Sequence, residues 1–240
     1  MNVSMDEFIA RASQWDPGFP ARIRGATAQE IQALARLTGL PLPGVYEAFL
    51  ARMGHGDGDL DVGMDGTTDI SAMIDYYRDS LSEDEGFPPH CIVIGTGSIS
   101  SDICLEIVPT GEPRVVFTEG NKVYGLYAES LMGLLFRNAF LGFRLYTRPS
   151  YAFYASSYAA LGLMNRVDEA RRVILELGFE EEWFSDSICV CAERGDTAIG
   201  ITQFEKQGMG VSIGSRDASE LARIGEVLKK KLGLSLQKPR

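Results

Sequence analysis

Histidine is scarce in this chain: His55 and His90 are the only two in 240 residues. Any imidazole-based acid–base chemistry must use one of them, and neither has a nucleophile or a carboxylate in a recognisable sequence context. The adjacent His90-Cys91 pair offers no activated thiol, because neighbours on a strand point to opposite faces. Cysteine is thin as well. Cys91, Cys104, Cys189 and Cys191 are too few and too irregularly spaced for a disulfide framework, and they read as reduced thiols. Cys189 and Cys191 share a face of the strand-like Ser-Ile-Cys-Val-Cys-Ala, but a zinc site needs two more ligands, and no tight C-x-x-C or H-x-x-x-H pair supplies them. Long apolar runs are missing. The nearest, around residues 131–140, is cut by Arg137 and Asn138, short of the roughly 20 residues that cross a membrane. Positive charge is in deficit, 23 Lys and Arg against 33 Asp and Glu for a net charge of −10, which argues against direct binding to nucleic acid or anionic lipid. Residues 1–19 carry Asp6 and Glu7 and lack the cationic start and apolar stretch of a secretory signal, so the expected location is the cytoplasm.

What is present is an ordinary globular composition: 45% hydrophobic, 23% charged and 10% aromatic residues, in a chain long enough for one large or two small domains. Residues 29–53 show helical apolar spacing interrupted by Thr-Gly-Leu-Pro-Leu-Pro at 38–43, which predicts two short helices. Thr27 and Glu30 form a capping pair for the first, Gly39 and Pro41 stop it, and Pro43 suits the first turn of the second. A glycine- and aspartate-rich loop follows from Gly54, then a helix over 69–80 with Ile70, Met73, Ile74 and Tyr77 on one face. Strands are expected at 91–94, 102–108, 114–117 and 122–127, and a helix at 128–140. After Arg148-Pro149 the pattern restarts with a helix over 157–177, strands at 188–193, 198–204 and 210–213, and a closing helix at 218–232. The class is α+β: a small, mostly antiparallel sheet packed with helices in residues 1–148, then an α-β-β-β-α unit in residues 149–240.

Charge is concentrated in one place. Between residues 57 and 85 stand Asp57, Asp59, Asp61, Asp65, Asp69, Asp75, Asp79, Glu83, Asp84 and Glu85, ten acids against the single base Arg78, and this stretch alone supplies −9 of the net −10. It reads either as a solvated face that keeps the chain soluble or as a docking surface for a basic partner, with Tyr76 as an aromatic anchor among the charges. Asp57-x-Asp59-x-Asp61 matches the first three ligands of a helix-loop-helix calcium loop. However, Val62 stands where the glycine belongs and Thr68 where the bidentate acid belongs. Gly95-Thr-Gly97-Ser-Ile-Ser100 leads into another strand rather than a helix, so it is a turn and not a phosphate loop. Arg194-Gly195-Asp196 is hairpin-turn chemistry, and Lys229-Lys230-Lys231 complements the end of a helix dipole. A carboxylate pair for glycoside hydrolysis could be drawn from so many aspartates, yet nothing singles one out. No catalytic, cofactor or metal-ligating residue is expected, and the chain is read as a binding protein rather than an enzyme.

The stretch 29–56 resembles the opening of the SMI1/KNR4 family (the SUKH superfamily), in which a helix, a Leu-Pro turn, a Tyr-x-x-Phe-Leu helix and a glycine-bearing loop follow one another. The matching positions are Leu40, Pro41, Pro43, Tyr46, Phe49, Leu50, Gly54 and Gly56. Ile94-Gly95, the segment Asp102-Ile-Cys-Leu-Glu, Val115-Val116-Phe117, and Tyr127-Ala128-Glu129-Ser130-Leu131 with Leu134 and Leu135 are similar to later parts of the family pattern. Departures are His55 in the glycine loop and Leu131 where an aromatic is usual. The resemblance implies an immunity protein that blocks a bacterial toxin, often one acting on nucleic acid, or a non-enzymatic regulatory interaction module. It carries no catalytic residues over. A basic toxin held by the acidic stretch is the partner this implies.

Overall fold

The computed structural model describes residues 3–80, 87–96, 101–156, 165–205 and 207–239. The chain packs as two units, Met1–Asn138 and Ala139–Arg240.

The first unit begins with α1 (Met5–Trp15), an element absent from the sequence expectations although its signal is local. Ser4 and Glu7 form a reciprocal capping box, and Met5, Phe8, Ile9 and Ala12 are buried along one face. Phe8 lies edge-on to Phe19 and Phe136. The single turn α2 (Phe19–Arg22) leads to β1 (Ile23–Arg24). Next come the two expected helices, α3 (Ala28–Thr38) and α4 (Gly44–Met53). Thr27 and Glu30 close the capping box of α3, and Gly39 ends it in a left-handed conformation; Pro43 sits one position outside α4, as its cap residue. Tyr46, Phe49, Leu50 and Met53 are all buried from α4.

β2 (Gly56–Asp57) pairs with β1, and α5 (Ile70–Ser80) buries Ile70, Met73, Ile74 and Tyr77 as its spacing requires. Its Tyr77 hydroxyl accepts the Val93 N–H at 2.7 Å, fastening the helix to the sheet. That sheet is an antiparallel meander of β3 (Cys91–Thr96), β4 (Asp102–Glu106), β5 (Arg114–Glu119) and β6 (Lys122–Ala128), in that order. The strands before and after the Gly95-Thr-Gly loop are therefore hairpin partners, with 97–100 outside the described residues. α6 (Leu131–Ala139) follows. Helices, then an antiparallel meander, then a helix make this an α+β fold.

The second unit is built on a six-stranded antiparallel sheet ordered β12-β7-β11-β10-β9-β8. The three expected strands form its middle: β9 (Cys189–Arg194), β10 (Thr197–Thr202) and β11 (Gly210–Ser215). β7 (Ser150–Ala155), β8 (Glu180–Glu181) and β12 (Ser235–Pro239) extend it. One face, with Val190, Ala192, Ile199, Ile201, Val211 and Ile213, buries itself in one core with residues of α7 (Val167–Glu176) and α8 (Ala218–Leu232). A π-helix at Phe140–Leu145 also packs on this sheet: a Cβ on Gly200 would come within 2.5 Å of Leu141. Residues 157–164 of the expected helix 157–177 lie outside the described residues. Both ends of the sheet are cut short. β8 is two glutamates long, while β12 slips register between Leu236 and Lys238 and stops at a proline.

Candidate acidic interaction surface

The loop 57–69 is held at both ends. Its start is β2, paired to β1. Near its end, Thr67 and Thr96 exchange backbone hydrogen bonds at 3.0 Å, so the loop is pinned to the edge of the meander. Asp69 then caps α5, accepting the Ser71 N–H at 2.8 Å. Between these anchors Leu60 and Val62 are buried and Asp59 and Asp61 are exposed, so the core residues pull the carboxylates outward by alternation. The turns this needs put Asp59, Asp61, Met64 and Asp65 at positive φ. Asp and Asn tolerate that region better than other side chains do. Gly58 is required at φ +71°, since a Cβ there would meet the Phe19 ring at 2.5 Å.

The acids divide by role. Asp57 is an internal staple: its Oδ2 accepts the Val62 N–H at 3.2 Å. Burial pushes its pKa up, while backbone N–H groups of Val62, Asp59 and Leu60 pull the other way. Asp59 pairs with Arg22 at 2.7 Å, and Arg22 also holds Asp16. Asp61 accepts the Asp65 N–H at 2.7 Å on its carboxylate, and its carbonyl accepts from Asn138. Asp75 pairs with Arg78 on the outer side of α5, where Asp79 is also exposed. Tyr76 is tied down rather than presented, because its hydroxyl donates to Asp102 Oδ2 at 2.5 Å; burial raises the pKa of both groups. Glu83, Asp84 and Glu85 lie outside the described residues.

The loop encloses an open cleft of about 560 Å³ whose wall includes His55, Asp57, Asp59, Asp61, Thr67 and Asp69. His55 is the residue that sequence reasoning left without context. Its Nε2 faces Glu30 Oε1 at 3.0 Å and its Nδ1 faces Asp69 Oδ2 at 3.3 Å, partners 25 and 14 positions away that no local pattern reveals. The Thr27 backbone and hydroxyl hold the Glu30 pKa below the usual carboxylate range, with His55 adding to the effect. Burial works to raise the Asp69 value, but the Ser71 N–H and His55 outweigh it and the net direction is down. Among the described residues no group of three or more His, Cys, Asp or Glu side chains is arranged to hold a metal ion. The carboxylate Asp57, first in the calcium-like spacing, points at backbone N–H groups instead.

Residues 25–137, which contain this loop and the whole meander, match the model of the SMI1 / KNR4 family (SUKH-1). This stretch is an SMI1/KNR4 domain. The positions that carry the resemblance occupy structural roles in it: Tyr46, Phe49 and Leu50 are core residues of α4, and Gly54 packs so closely that a Cβ would sit 2.6 Å from the Leu50 carbonyl oxygen. A solved structure, the NMR structure of PA4090 from Pseudomonas aeruginosa, is similar at 16% identity, over 37% of this chain and 93% of that one, with a TM-score of 0.25. No curated protein matches the chain. Among the described residues no helix is long and apolar enough to cross a membrane.

Proposed function

We propose that the chain is a toxin-neutralising immunity protein whose SMI1/KNR4 domain binds a basic bacterial toxin, one that acts on nucleic acid, through its acidic surface. Membership of the family supports an immunity protein or an SMI1-type interaction module in general. The observation that favours the electrostatic version is the outward set Asp59, Asp61 and Asp65 on a loop anchored at both ends, with Asp75 and Asp79 exposed on the helix that follows. A preformed array of carboxylates answers a cleft built to hold phosphates, raises the encounter rate and sets orientation. Asp57, Asp69 and Tyr76 serve this reading as supports of the loop and helix, and Glu83, Asp84 and Glu85 would extend the charge.

The test is co-expression with the product of the adjacent open reading frame, assayed for toxicity on its own, followed by affinity measurement across salt. Rescue of growth, with binding that weakens from 50 to 500 mM salt by about tenfold or more, is the expected result. The combined substitution Asp59→Asn, Asp61→Asn, Asp65→Asn and Asp75→Asn should weaken binding and flatten that dependence. Salt-independent affinity, unchanged in the quadruple variant, would remove the electrostatic mechanism. Absence of any toxin-dependent phenotype would favour the regulatory interaction module.

A further inference from the structure

At one end of the six-stranded sheet, where β7 begins and β9 and β11 finish, three arginines converge. Arg144 comes from the π-helix, Arg148 from the turn before β7, and Arg216 directly follows β11. Burial, and repulsion from Arg144 and Arg216, push the Arg148 pKa down. Glu193 from β9 and Asp196 from the β9–β10 turn face the cluster, and the Glu182 carboxylate also acts on Arg144. Glu193 is engaged by Arg144, which donates to its two oxygens at 2.5 and 3.1 Å. Arg148 is left with Nη2 at 3.8 Å from Glu193 and Nη1 at 3.7 Å from Asp196, too far for hydrogen bonds.

The Arg148 side chain is only 6% exposed, and its Nε and Nη2 are buried without a hydrogen-bond partner. Arg216, 67% exposed, also reaches Asp196 Oδ1 at 3.7 Å. One oxygen of a well-exposed turn residue thus stands between two guanidinium groups and bonds to neither. The backbone is shaped around this arginine. A Cβ on Gly214 would lie 2.2 Å from the Leu145 carbonyl oxygen and within about 3 Å of the Arg148 stem.

We propose that this cluster is a binding site for a phosphate group, held between Arg148 Nη1 and Arg216 Nη1 where the Asp196 carboxylate now faces them. A tetrahedral dianion brings several acceptor oxygens to donors that lack them, and guanidinium forks match that geometry. Asp196 is the internal competitor, a carboxylate on a hairpin tip that can turn to solvent when the anion arrives. The site lies in the second unit and is independent of the acidic surface of the SMI1/KNR4 domain.

The experiment is titration of the full chain with inorganic phosphate at constant ionic strength, followed by calorimetry and by the arginine side-chain NMR signals, with acetate as a parallel arm. Saturable phosphate binding is expected. Asp196→Asn should tighten it about tenfold by removing the competitor, and Arg216→Ala should weaken it about tenfold. Both positions are exposed, so these variants fold even where substitution at Arg148 does not. No saturable binding by the parent or by Asp196→Asn overturns the proposal, as does unchanged affinity in Arg216→Ala. Acetate binding as tightly as phosphate overturns the assignment to phosphate.

Discussion

In the loop 57–69 charge and backbone conformation are carried by the same residues, and asparagine separates them. Asp61 and Asp65 sit at φ 53° and 63°, a region where Asn is at home and a residue such as Ala is strained by about 1 kcal/mol. Thermal unfolding should therefore show Asp61→Asn and Asp65→Asn close to the parent, and the two alanine variants each less stable by about 1 kcal/mol. Equal losses for Asn and Ala would mean that the carboxylate, not the backbone, holds the loop. At this scale the sequence reveals which residues are charged but not where they point. Ten acids in one stretch are visible at once, whereas the inward staple role of Asp57 and the Tyr76–Asp102 bond depend on chain reversals that charge counting does not register. The thiols are a contrasting case. All four cysteines are buried and none is in a disulfide, and burial pushes the thiol of Cys91 to about 11 and that of Cys104 to about 12, so these two stay protonated at neutral pH.

Elements with a complete local signal are legible. The capping pair at Thr27 and Glu30, the proline-rich break and the four-residue stripe of α5 all have the period or the stop residue that defines them. α1 has an equally plain local signal, the capping pair Ser4 and Glu7 with Met5, Phe8, Ile9 and Ala12 along one face, although the polar character of residues 1–19 as a whole masks it. β12 is different: Ser-Leu-Gln-Lys-Pro has no strand pattern of its own, and it is a strand because β7 offers it a ladder. The join between α5 and the meander is also invisible in sequence, since Tyr77 meets the Val93 N–H 16 positions away. Removing that acceptor while keeping the ring strands a buried N–H, so Tyr77→Phe should cost about 1–3 kcal/mol, measured by denaturant unfolding. A loss below about 0.5 kcal/mol would assign the role of Tyr77 to its ring alone.

For the whole molecule, acid stability is a balance of two opposed sets of carboxylates. Asp16 is held below its ordinary pKa by Arg22, Glu30 by Thr27, and Glu169 by Arg166. What these contribute is fully present above the unfolded value of about 4 and is lost as pH falls through their lower folded values. Asp57 and Asp102 are raised by burial, so they weaken the fold once ionised and acidification through their folded values relieves that cost. The melting temperature should therefore hold or rise as pH falls from neutral towards the ordinary carboxylate range, and fall steeply below about 4. Asp57→Asn should remove part of that gain on mild acidification and leave the steep fall unchanged. A monotonic decline from pH 7 would refute the opposing set.

The ends of the six-stranded sheet bear on the life of this chain among its own copies. A row of open backbone N–H and C=O groups is a template on which an identical molecule can add its own strand and so start a ribbon. One margin here is two glutamates long, and a second copy arriving there would set like charges face to face; the opposite margin is bent by its register slip and closed by a proline that has no N–H to donate. Copies of this chain can therefore be crowded together without their sheets stitching themselves into a ribbon.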